Sequence, residues 1–177
     1  MRDINVNDVS LMVSNLCMHA NIILPATLEG ALRAAKNSEK SEIGKEVLGD
    51  ICHNFTVALT ENIPVCQDTG MAVIFIEIGQ EVHFVGGNLV DAINAGVANG
   101  YTDNHLRCSI VSDPFERVNT ANNAPAIIHT TIVGGDKVKI DVCPKGFGSE
   151  NMSAIKMFTP SATYDEVCEF VVETISK

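Results

Sequence analysis

The stretch Met71-Ala72-Val73-Ile74-Phe75-Ile76-Glu77-Ile78 constrains the fold more than any other part of this chain. It is apolar almost throughout, rich in β-branched residues and bounded by Gly70 and Gly79. A run of that length with those residues predicts a buried central strand. Such a strand needs pairing neighbours on its edges and an apolar layer over its faces, and the rest of the sequence has to supply both.

The layer comes from residues 1–64. Asn7 or Asp8 can cap a helix whose stripe is Val9, Met12, Val13 and Leu16. Pro25 suits a first helical turn, and Leu28, Ala31, Leu32 and Ala35 continue the period. Ser38 opens a longer helix with Ile43, Val47, Leu48, Ile51, Phe55, Ala58 and Leu59 on one face, ended by Asn62 and Pro64. Past the strand, Leu89 begins a helix with Val90, Ile93 and Val97 inward and Gly100 as its stop. Residues 107–111 read as a strand and residues 113–125 as irregular loop. Residues 126–133 and 137–142 read as a hairpin around Gly134-Gly135-Asp136. A short helix is expected over residues 152–157. Thr163 and Glu166 form a capping box for a last helix with Val167, Phe170, Val171 and Ile175 inward. The expectation is a mixed α+β fold, a helical N-terminal layer followed by a β-sheet with interleaved helices, in a single domain over residues 1–177. The last helix keeps its pattern to Lys177, so the chain reads as the N-terminal portion of a larger protein.

Composition removes several function classes. The net charge of −10 argues against nucleic acid or an anionic membrane as a partner, because both select a basic surface. The N-terminus has no signal-peptide pattern, and the run from Met71 to Ile76 is too short to span a bilayer, so a cytoplasmic location is expected. The six cysteines, at 17, 52, 66, 108, 143 and 168, contain no C-x-x-C pair, which disfavours a zinc or disulfide framework. By spacing alone each reads as a small buried hydrophobe.

Three polar loops adjoin the regular elements, where sheet proteins build their sites. Cys66-Gln67-Asp68-Thr69-Gly70 offers a thiol beside an amide and a carboxylate. His105-Leu106-Arg107 offers a guanidinium able to fork onto a carboxylate. Lys145-Gly146-Phe147-Gly148-Ser149-Glu150-Asn151 offers backbone N–H groups. Each has a plainer reading: a turn into the strand, a surface ion pair, and a simple connection. The glycine loop lacks the Gly-Lys-Ser/Thr ending of a phosphate loop.

Taken together and in order, Val65-Cys66-Gln67-Asp68-Thr69-Gly70, Asn104-His105-Leu106-Arg107-Cys108-Ser109-Ile110-Val111 and Lys145-Gly146-Phe147-Gly148-Ser149-Glu150-Asn151-Met152-Ser153 resemble segments of the class I fumarate hydratase and tartrate dehydratase family, in its alpha subunit. The resemblance implies a hydro-lyase that hydrates fumarate to malate on a [4Fe–4S] cluster held by three cysteines. It implies Cys66 as the first ligand and Asp68 as a catalytic carboxylate. Gln67, Asp68, Arg107, Gly148 and Asn151 would contact a small C4 dicarboxylate substrate. Phe147 replaces the commoner middle glycine. The other two ligands are expected downstream of Lys177; Cys143, beside the glycine loop, is the tempting substitute but reads as a strand-end residue. This chain alone is therefore expected to be inactive and without a cluster. A beta subunit or C-terminal domain, in a homo- or hetero-oligomer, would complete it. The alternatives are an L-tartrate dehydratase alpha-subunit fragment and a non-catalytic, partner-binding chain with the same fold.

Overall fold

A computed structural model describes residues 1–176, apart from the side chains of Ser149 and Glu150. The chain divides into two compact units, Met1–Gly146 and Phe147–Lys177. In the first, the order is β1 (Arg2–Asn5), α1 (Val6–Ile22), α2 (Ala26–Ser38), α3 (Glu42–Glu61), β2 (Met71–Gly79), β3 (Val82–Val85), α4 (Leu89–Asp103), β4 (Ile127–Val133) and β5 (Val138–Lys145). The second holds a 3₁₀ helix, Gly148–Met152, and α5 (Tyr164–Ile175). The fold is mixed α+β, as the sequence predicts.

The apolar run is the middle strand of a sheet ordered β4-β2-β5. Its alternate residues Ala72, Ile74 and Ile76 are buried with Val9, Val13 and Cys17 of α1 and Ile93, Val97 and Tyr101 of α4. The opposite face is open: Phe75 is 46% exposed and stacks on His129 with ring centroids 4.9 Å apart. The expected hairpin is not formed. β4 pairs parallel to β2 and β5 antiparallel to it, on opposite edges. The connection between them instead crosses the end of β2, where Gly79 N donates to Lys137 O at 2.8 Å and Gln80 N to Val133 O at 2.8 Å. Both strands reach β2 because it carries the most apolar pairing edge, whereas their own exposed residues gain little by pairing with each other. A separate short parallel pair, β1 with β3, was not expected from the sequence.

Helix α1 is capped two or three residues earlier than expected, by Asn5, whose Oδ1 accepts Asn7 N at 2.9 Å. Its buried stripe is Val6, Val9, Val13 and Cys17, which leaves Met12 in solvent. Residues 6–38 meet the length and hydropathy of a membrane span, but α1 spends its buried side chains on packing to α4. Gly100 does not stop α4. With Gly96 it forms the surface where α4 meets α1: an added Cβ would lie 2.5 Å from Ser10 O at Gly96 and 2.8 Å from Ser14 O at Gly100. Small size, not chain termination, is what those glycines supply. The cap of α3 is Ser41, not Ser38, and Asn62 ends the helix in a left-handed conformation as expected. Of its apolar stripe, Phe55 and Ala58 are buried together with Cys52, while Ile43, Val47, Ile51 and Leu59 face solvent. Helix α2 buries none of its residues.

Two further expectations fail. Residues 107–111 make only an isolated bridge, Val111 to Asn119, because the Ser109 and Ile110 amides are taken by the side chain of Asn123. Residues 153–158 form no helix; Ile155 and Met157 are about nine-tenths exposed and have no packing to hold a short one. The capping box of α5 is present, with Thr163 N donating to Glu166 Oε2 at 2.7 Å. Val167, Val171 and Ile175 are nonetheless exposed. Phe170 meets Phe158 edge-on at 6.0 Å, with the Lys156 ammonium 5.7 Å from its ring centre.

Candidate functional site

The loop from Val65 to Gly70 enters β2 under firm backbone control. Val65 N donates to Asn21 O at 2.9 Å and Val65 O accepts Asn54 Nδ2 at 2.8 Å, tying the loop to α1 and α3. Beyond this anchor, Asp68 N donates to Cys66 Sγ at 3.4 Å and Gly70 N to Asp68 Oδ1 at 3.1 Å. Gly70 has φ +62, and a Cβ there would strike the backbone carbonyl of Lys145. Only glycine lets the loop pass so close to β5. The tight turn leaves Cys66 and Gln67 exposed and Asp68 half-buried. Asp68 Oδ2 lies 2.9 Å from where a Cβ on Gly146 would stand, so the missing side chain at Gly146 makes room for the carboxylate.

Thr69 carries the link to the second loop. It is buried, its Oγ1 donates to Arg107 O at 3.0 Å, and its own carbonyl accepts the Tyr101 hydroxyl at 2.8 Å. Tyr101 is fully buried in the core, and burial pushes its phenol well above the usual range, so it remains a neutral donor. Leu106, also buried, anchors the second loop, and its N–H donates to Tyr101 O at 2.9 Å. Between these anchors His105 takes a left-handed conformation, φ 54, and Arg107 follows with its side chain exposed. Among the described residues no group pairs with its guanidinium.

A third segment, unrecognised in the sequence, joins the two loops. Asn123 is fully buried with φ 58. Its Oδ1 accepts Ser109 N at 2.7 Å and Ile110 N at 3.2 Å, and its Nδ2 donates to Gly70 O at 2.8 Å. Asn119 Nδ2 donates to Cys108 O at 2.9 Å. The available signal was three asparagines, 119, 122 and 123, in a stretch without periodicity, where side chains that bond backbone are common. Ser109 Oγ is buried and has no hydrogen-bond partner among the described residues.

The structure thus brings Cys66, Gln67, Asp68 and the Arg107 backbone onto one braced platform in the first unit. Gly148 and Asn151 belong to the second unit, where Gly148 opens the 3₁₀ helix and Asn151 is exposed. The side chains of Ser149 and Glu150 in that loop lie outside the described residues.

The cysteines differ sharply in their surroundings. Cys17 and Cys52 are buried, and burial pushes the Cys17 thiol up to about 12. Cys108 is partly buried and its thiol is raised for the same reason. Cys143 is exposed, on β5 opposite Val73. Cys66 alone stands in a polar loop with an N–H directed at its sulfur, an arrangement that suits a metal-bound thiolate. Among the described residues no group of three or more His, Cys, Asp or Glu could hold a metal ion. The residues present fit one ligand position, not a complete set.

The family model described as fumarate hydratase (Fumerase) matches residues 10–177. A Methanocaldococcus jannaschii protein assigned as L(+)-tartrate dehydratase subunit alpha is 35% identical over 174 residues, 95% of this chain and 61% of that protein. The L(+)-tartrate dehydratase subunit alpha of Escherichia coli (strain K12) is 29% identical over 175 residues, 97% of this chain and 57% of its own length. The chain therefore spans about three fifths of the curated relatives it matches.

Proposed function

Because this chain belongs to the fumarate hydratase family, we propose that it supplies the carboxylate-binding and proton-handling part of a hydro-lyase site for a C4 dicarboxylic acid. The observation that carries this reading is the Thr69 Oγ1 to Arg107 O bond, which fastens the carboxylate-bearing loop to the guanidinium-bearing one. Arg107 forks onto one substrate carboxylate, and its exposure leaves the guanidinium available to do so. Gln67 offers an amide donor and acceptor at the same loop tip. Asp68, whose Oδ1 accepts the Gly70 N–H, exchanges the proton on the carbon next to the departing hydroxyl. In the dehydrating direction a C–H bond and the neighbouring C–O bond break, a carbon–carbon double bond forms, and water leaves.

Cys66 would hold one iron of a [4Fe–4S] cluster, which when bound would supply Lewis-acid help to the departing hydroxyl. The remaining ligands, and the beta subunit implied by relatives named as alpha subunits, would come from outside the residues described. For the substrate, the family description favours fumarate and malate, while the names of both relatives favour L(+)-tartrate. An oxygen-free assay resolves the pair. The chain, extended to the relatives' length and joined to its beta partner after iron and sulfide reconstitution, is given each acid in turn. The reading expects turnover of at least one. Turnover of neither, with cluster present, would remove it.

A further inference from the structure

We propose that Asn123 is a positioning residue that fixes the Asp68 loop against the Arg107 loop, an inference that rests on the hydro-lyase reading. One link between two loops acts as a hinge; a second, separate link removes the rotation. Thr69 Oγ1 to Arg107 O is the first, and the Asn123 side chain is the second, reaching Gly70 O on one side and Ser109 N and Ile110 N on the other. Gly70 lies two residues beyond Asp68, and Ser109 two residues beyond Arg107. The bridge therefore holds backbone two residues from each of the groups that would touch substrate. Asparagine is the side chain the position requires. It must accept twice and donate once over a short reach, and it must tolerate the left-handed backbone at φ 58. Aspartate keeps the two accepted bonds but has no donor when ionised. Glycine tolerates the backbone and keeps none of the three bonds. With the side chain fully buried, water cannot replace what is lost.

The test uses both substitutions. In the full chain, ¹H–¹⁵N spectra of Asn123→Asp and Asn123→Gly should shift the amides of Gly70, Ser109 and Ile110. Hydrogen exchange should quicken across residues 66–70 and 107–110, with the rest of the spectrum in place. In the complete cluster-loaded assembly, kcat/KM should fall roughly tenfold or more at unchanged iron content, the scale expected when a reacting group is displaced by about an ångström. For Asn123→Asp, activity relative to wild type should recover as pH falls, because the protonated carboxyl can again donate to Gly70 O. A purely structural role would lower Tm while leaving kcat/KM of the folded, cluster-loaded assembly near that of wild type. Near-native kcat/KM in both variants while the wild type turns over would overturn the role of Asn123 alone. Collapse of both spectra would assign Asn123 to overall stability and overturn the positional role as well. An inactive wild-type assembly would instead overturn the hydro-lyase reading, and with it any role in that reaction, whatever the spectra show.

Discussion

Each bond that braces the site has its own energetic signature. Tyr101→Phe removes a single hydroxyl and leaves the Thr69 carbonyl unpaired inside the protein. It should lower unfolding free energy by about 1–2 kcal/mol in denaturant titrations. Ser109→Ala removes a buried hydroxyl that has no partner among the described residues, so it should leave stability unchanged or slightly raised in the same titrations. The cysteines separate by chemistry: near neutral pH an alkylating reagent should modify exposed Cys66 in the native chain and reach Cys17 only on unfolding. The loops that carry Cys66, Gln67, Asp68 and Arg107 were legible in the sequence as short polar segments beside regular elements. Tyr101 and Asn123 were not, since what they hold is backbone 32 and 53 residues away, and no local pattern marks such a contact.

At the level of elements, period and capping chemistry located most helices and the central strand, but pairing was harder. Alternation in β5 identified a strand facing two environments without naming its neighbour, and the glycine pair before it suggested a hairpin that β2 pre-empts. Gly100 looked like a helix end because a glycine's role in close packing depends on a partner helix absent from the local sequence. Gly96→Ala should therefore destabilise the first unit by about 1–3 kcal/mol despite alanine's better helix propensity, a reversal that thermal unfolding would reveal. The cap of α5 gives a pH prediction. Hydrogen bonds from the Thr163 backbone N–H and hydroxyl hold the Glu166 carboxyl below its usual range. The cap is thus fully effective above the unfolded carboxyl's pKa and is lost as pH falls through the lower, folded value. Opening of the first turn of α5, read from intrinsic-rate-corrected amide exchange, should rise over that acidic interval and stay flat above it.

Over the whole molecule, the sheet buries one face against α1 and α4 and places the Asp68 and Arg107 loops at the ends of β2 and α4, where their backbones can be tied together. Apolar stripes on α3 and α5 remain in solvent, which no reading of their periodicity could foretell, because amphipathic spacing marks a face without saying what covers it. The central claim is that the braced loops form the dicarboxylate end of a hydro-lyase site. The most direct measurement compares wild type with Arg107→Ala in the complete, cluster-loaded assembly, following kcat/KM for whichever C4 acid it converts. The account predicts a loss on the order of 100-fold or more at unchanged iron content, as expected when a charged substrate clamp is removed. Unchanged kcat/KM would contradict it and leave the loops as a platform for a partner, not a substrate.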